Sequence, residues 1–111
     1  RGYAMIDVAE KDWKIFRRLH SLALERHCAK TLRMAQDIAD DKAQTNHQRY
    51  QRLFGLMQDR DKEIARAFNN SRRSVVLEQI VAIWSLGLLE DSDLGEFSND
   101  LRARIKFLLE I

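Results

Sequence analysis

The chain has no proline anywhere in its 111 residues. Proline costs about 3 kcal/mol inside a helix, so its absence over this length favours helices throughout. The few glycines concentrate near proposed helix ends or turns, and no alternating β-branched run of strand length competes with that reading. The expected fold class is all-α: a compact bundle of four to five helices with a long antiparallel first and second helix. One domain is expected over 7–111, behind an N-terminal extension 1–6 in which Arg1 to Ala4, ahead of Met5, read as a tag remnant.

The apolar periodicity sets the boundaries. The first helix is expected from about Asp7 or Glu10 to Asp40, with Trp13, Phe16, Leu19, Ala23, Leu24, Ala35 and Ile38 on its stripe. Asp40 and Asp41 oppose the negative end of a helix and should stop it. A polar connector, Lys42 to Asn46, leads into a second helix over His47 to Asn69. Asn69, Asn70 and Ser71 offer a left-handed residue or a cap before a third helix, Ser71 to Leu88. That helix is apolar on most sides, which makes it either central in the bundle or a subunit contact. Gly87 is a helix-end signal. The acidic turn Glu90 to Asp93 opens a short segment, and Ser98 caps a last helix running to about Ile111.

A net charge of +2 gives no bulk field toward nucleic acid or an anionic membrane. The single cysteine, Cys28, excludes an internal disulfide and fits a reducing compartment. No stretch approaches the roughly 20 apolar residues of a membrane span, and no signal-peptide pattern opens the chain, so a soluble cytoplasmic protein is expected.

Asp61 is the residue that breaks the pattern. Tyr50, Leu53, Phe54, Met57, Ile64, Ala65 and Phe68 step along one helical face, and Asp61 lies within about 20° of its centre. A carboxylate on a core-facing stripe must find a partner, protonate, or line a site. His20 and His27 lie near the centre of the first helix's stripe, about two turns apart, and an antiparallel second helix could bring Asp61 to one of them. His20, His27 and Asp61 are therefore the candidate buried polar cluster. A register-fixing hydrogen-bonded pair is the expectation, ahead of a small-molecule or metal site, because zinc needs further ligands at a recognisable spacing. Asp37, Asp40 and Asp41 could gather a hard cation, although acids at a helix end are commonly a solvated stop signal. No nucleophile or oxyanion-stabilising loop accompanies these groups, so no catalytic residue, cofactor or metal is expected.

The segment from Glu63 to Glu78 resembles a DNA-binding helix-turn-helix. Ile64-Ala65 would pack its first helix, and Ser71-Arg72-Arg73-Ser74-Val75 would open a recognition helix, with Arg72 and Arg73 on phosphates or base edges. Asn70 and Glu78 fall where that motif buries apolar residues, and Ile80 to Leu86 is too hydrophobic to lie in a groove. Arg72 and Arg73 also oppose the dipole of the helix they start, so acids on the preceding helix are their expected partners.

The order of phrases Trp13-Lys14-Ile15-Phe16-Arg17, Ala23-Leu24-Glu25-Arg26-His27-Cys28, His47-Gln48-Arg49-Tyr50, Arg60-Asp61-Lys62-Glu63-Ile64-Ala65, Arg72-Arg73-Ser74 and Gly87-Leu88-Leu89 resembles a group of short uncharacterised bacterial all-helical proteins. That resemblance implies no activity or cofactor. It suggests that His47, Tyr50, Arg60, Asp61, Arg72 and Arg73 form one polar cluster. The expected function is a non-enzymatic structural or protein-interaction module forming a homodimer or binding another protein. Ile80, Ile83 and Trp84 of the third helix are the expected interface, and Phe107, Leu108, Leu109 and Ile111 the second choice. The competing expectations are DNA binding and the small-molecule or metal site.

Overall fold

The computed structural model describes residues 8–110; the expected N-terminal extension 1–6, Asp7 and Ile111 lie outside them. The described residues form five α-helices and no strand: α1 Glu10–Ala39, α2 Asn46–Phe68, α3 Val76–Ser85, α4 Asp91–Leu94 and α5 Asn99–Leu109. A 3-10 turn, Arg73–Val75, leads into α3. The long antiparallel first and second helices and the bundle expected from the periodicity are present. No described helix is long and apolar enough to cross a membrane.

Local chemistry accounts for the breaks. Thr45 starts α2 with a capping box: its hydroxyl accepts from the Gln48 N–H at 3.1 Å, and the Gln48 side chain accepts from the Thr45 N–H at 2.9 Å. Together they satisfy two of the amides a helix start leaves orphaned. Asn70 takes the left-handed conformation at φ 61°, and Gly87 does so at φ 74° after α3. α3 begins at Val76, later than the expected Ser71, because Arg72 is still extended at φ −156°. Gln79 holds that loop open. Its Nε2 donates to the Asn69 carbonyl at 2.8 Å, and its Oε1 lies 2.7 Å from the Ser71 hydroxyl.

The core gathers at the end of the hairpin where α1 begins and α2 finishes. Phe16, Leu19 and Ala23 of α1 meet Ala67 and Phe68 of α2, Val76, Ile80 and Ile83 of α3, Leu88 and Leu89, Phe97, and Leu101 and Ile105 of α5. Ile80 and Ile83 are each 1% exposed, so they are core residues and not the expected interface. Of the two readings open for the apolar third helix, the central one holds, since α3 touches α1, α2 and α5.

Beyond this head the hairpin continues as a two-helix arm. Of α2, only Ala67 and Phe68 in the last turn are buried. The Cα radius of gyration of 17.1 Å exceeds the roughly 13 Å of a compact domain this long. α1, about 45 Å long at 1.5 Å per residue, runs along most of the 53 Å long axis.

Candidate functional site

Three junctions fasten the head to α1; two are built on acids absent from the sequence-based candidates, and the third on Arg73, a candidate for a different role. The carboxylate of Asp12, 2% exposed, accepts from the Ser98 N–H at 2.8 Å and from its hydroxyl at 2.6 Å. Ser98 in turn accepts from the Leu101 N–H, so the first turn of α1 anchors the start of α5. Asp93 accepts from Arg26 at 2.8 Å and from the Glu90 N–H at 2.9 Å. Burial opposes its ionisation, but the Arg26 hydrogen bond, the Glu90 amide and the charges of Arg26 and Arg18 together hold its carboxyl below the usual range. Arg26 also donates to the Leu88 carbonyl at 2.8 Å, and Lys30 to the Gly87 carbonyl at 3.3 Å. These cations meet carbonyls just past the negative end of α3. The third junction is Arg73, which pairs with Glu10 and lies 5.8 Å from the Trp13 ring centroid.

The predicted trio of His20, His27 and Asp61 does not assemble. His20 Nε2–H donates to the Phe68 carbonyl at 2.9 Å, closing the last turn of α2. His27 is 3% exposed, its Nε2 has no hydrogen-bond partner among the described residues, and the nearest acid among them is Glu63, 3.7 Å away. Glu63 accepts from Arg60 at 2.7 Å. Asp61 is exposed. The α2 line that meets α1 runs through Leu53, Leu56, Arg60, Glu63, Ile64 and Ala67, all half-buried or buried. Asp61 sits about 100° away from Arg60 and clears the contact. The stripe that appeared to face the core lies on a flank of that contact, where Tyr50, Phe54 and Met57 are exposed alongside Asp61.

The hairpin's geometry turns that stripe into a continuous surface. In an antiparallel pair of right-handed helices, residues displaced in the same rotational sense from each contact line share one face of the pair. α1 meets α2 along His27, Thr31, Ala35 and Ile38, and its Cys28, Leu32 and Ala39 are displaced in the same sense as Tyr50, Phe54, Met57 and Asp61 on α2. Between Cys28 and Ala39 on α1 and between His47 and Gln58 on α2, that face carries no charged side chain. The opposite face carries Lys30, Arg33 and Asp37 from α1 with Arg52 and Asp59 from α2. Leu32, Tyr50 and Phe54 are 65%, 68% and 57% exposed.

The remaining candidates disperse. Arg72 is exposed at the α2–α3 loop, apart from the His47–Tyr50 end of α2. Trp84, half-buried, joins Leu94, Ile105 and Leu109 in the floor of an open groove of about 640 Å³, rimmed by Asp91, Arg102, Lys106 and Glu110. Phe107 and Leu108 of α5 are exposed, but Arg104, Lys106 and Glu110 interleave with them. No three His, Cys, Asp or Glu side chains among the described residues converge where a metal ion could sit, Asp37, Asp40 and Asp41 included.

No protein-family model matches the chain, and neither does any curated protein or solved structure.

Proposed function

We propose that the chain is a non-enzymatic helical interaction module, acting through self-association or association with another protein at the uncharged face of the α1–α2 arm. The observation that carries this reading is the segregation of the arm: apolar and aromatic side chains on one face, charges of both signs on the other. Protein interfaces are depleted of charge at their centre and enriched in aromatic residues and methionine, the composition of Leu32, Tyr50, Phe54 and Met57. A two-helix layer buries only its inner seam, so an apolar outer face needs a third layer.

The DNA-binding reading has less support. Arg73 is engaged by Glu10 and Trp13, and α3 packs inside the head with Val76, Ile80 and Ile83 buried, leaving Arg72 as the free cation of the pair among the described residues.

The test is a triple substitution, Leu32→Glu/Phe54→Glu/Met57→Glu, compared with wild type in extract of the source cell. The variant is expected to keep its helical circular dichroism and to sediment as a free monomer, whereas the wild type sediments in a larger species. Equal sedimentation of the two as free monomer defeats the interaction reading.

A further inference from the structure

We infer that the occupant of the arm's uncharged face is a second copy of this chain, with the two arms antiparallel and joined as a four-helix bundle. This rests on the interaction reading above and names its partner. A two-fold contact must be self-complementary, since each patch meets its own copy. The charged face of the arm, with Lys30, Arg33, Asp37, Arg52 and Asp59, would set like charges close together in many registers. The other face carries no charge between Cys28 and Ala39 or between His47 and Gln58, and the one acid of its α2 seam, Asp61, lies at the seam's end.

The exposed stripe of α2 has the spacing such a bundle needs. His47, Tyr50, Phe54, Met57 and Asp61 follow the alternating three- and four-residue steps of a heptad seam, with Phe54 midway between His47 and Asp61. The two polar ends of the seam determine the direction. Parallel arms on a two-fold would set α2 over α1 of the other copy, with both Asp61 carboxylates at one level of the bundle and neither opposite the His47–Tyr50 end. Antiparallel arms pivot near Phe54 and carry Asp61 of one copy to the His47–Tyr50 end of the other, where an imidazole N–H and a phenol hydroxyl can donate to it. The exchange occurs twice, once at each end of the seam. It also explains an isolated carboxylate on an otherwise uncharged stripe, which the single chain leaves without a partner among the described residues.

The dimensions fit. From Asn46 to Asp61, α2 is about 24 Å long, and a two-helix ribbon is about 20 Å wide, giving roughly 480 Å² of projected face per copy. Side-chain relief raises the accessible surface toward the ~800 Å² per partner that stable interfaces bury. The head packs on the other flank of α1, through Asp12, Leu19, Arg26 and Lys30, and stays clear of the contact.

The experiment is sedimentation velocity of the purified full chain between about 1 and 200 µM, which brackets micromolar association. The wild type is expected to form dimers as concentration rises. Phe54→Glu, at the pivot, should raise the dissociation constant roughly a hundredfold. Asp61→Lys should raise it about tenfold, and Asp61→Lys/His47→Glu should restore it. Should Phe54→Glu fail to fold, Phe54→Cys in a Cys28→Ser background takes its place and must yield a disulfide-linked dimer on oxidation. A wild type monomeric throughout, a dimer indifferent to Phe54→Glu, or no cross-link at the pivot overturns the proposal. Failure of the charge-swapped pair to recover overturns the antiparallel arrangement. A monomeric pure protein that still sediments in a larger, triple-variant-sensitive species in extract removes the second copy while leaving the interaction module standing.

Discussion

At the end of the hairpin where α1 begins, polar side chains are buried: Asp12, Gln79 and Asp93 lie inside the head. At the other end, apolar side chains are exposed: Leu32, Tyr50 and Phe54 face solvent on the arm. α1 runs through both regions, and the difference is whether a third layer covers the hairpin. Where α3, α4 and α5 return across α1, their ends bring unpaired amides and carbonyls, and buried acids and a glutamine satisfy these groups. Where no described helix returns, the apolar flank has no partner among the described residues. The buried acids mark helix ends meeting helix sides, and the exposed apolar side chains mark the part of the hairpin that no third layer of described residues covers.

The contrast can be broken by substitutions at the two ends, measured at dilutions where the chain is monomeric. Ile80→Ala should cost about 3 kcal/mol in denaturant unfolding, through lost burial and a residual cavity. Phe54→Ala, though it removes more side chain, should leave unfolding nearly unchanged. A comparable cost at both positions would mean that the arm's face is covered within the single chain.

Asp12→Ala should cost about 2 kcal/mol, because it leaves the Ser98 amide and hydroxyl without their acceptor. Ser98→Ala should recover part of that loss in a double-mutant cycle, which tests the contact across the sequence directly.

Asp93 sharpens the comparison through pH. Its carboxyl is held below the usual range in the folded chain, so its stabilisation is present above the ordinary carboxylate pKa of about 3.9 and is lost as pH falls through the lowered value. Wild type should therefore lose stability on acidification more steeply than Asp93→Asn over that interval, as followed by thermal melts. Parallel curves would mean that the Arg26 pair contributes nothing.

The smallest effect is expected at Asp61. Asp61→Asn should leave the melting temperature of the monomer unchanged, since the carboxylate is exposed. A large drop would return Asp61 to the core.

Much of the architecture is legible before any coordinates. The missing proline, the stop at Asp40, the cap at Ser98 and the left-handed Asn70 and Gly87 all act within a few residues of themselves. The capping box at Thr45 and Gln48 was equally legible as Thr-x-x-Gln, and it moves the start of α2 into the polar connector. The junctions were not. Asp12 and Ser98 are distant in sequence, and nothing in the periodicity of α1 separates a buried aspartate from a solvated one at its first turn. Asp61 failed for a related reason. A stripe of Tyr50, Phe54 and Met57 defines an apolar face, but periodicity alone cannot say which neighbour covers it.

The sequence by itself determined an all-helical chain of four to five helices, most of their breaks, and an apolar flank on the long ones, because propensity, caps and periodicity are interactions among near neighbours. Only the tertiary structure decided which flank is core. It places Glu63 rather than Asp61 beside His27, puts Ile80 and Ile83 inside, and leaves Phe54 outside. Burial depends on what returns across a helix, and the direction of that return is set by the α2–α3 loop and by contacts such as Asp12 with Ser98 that join distant parts of the chain.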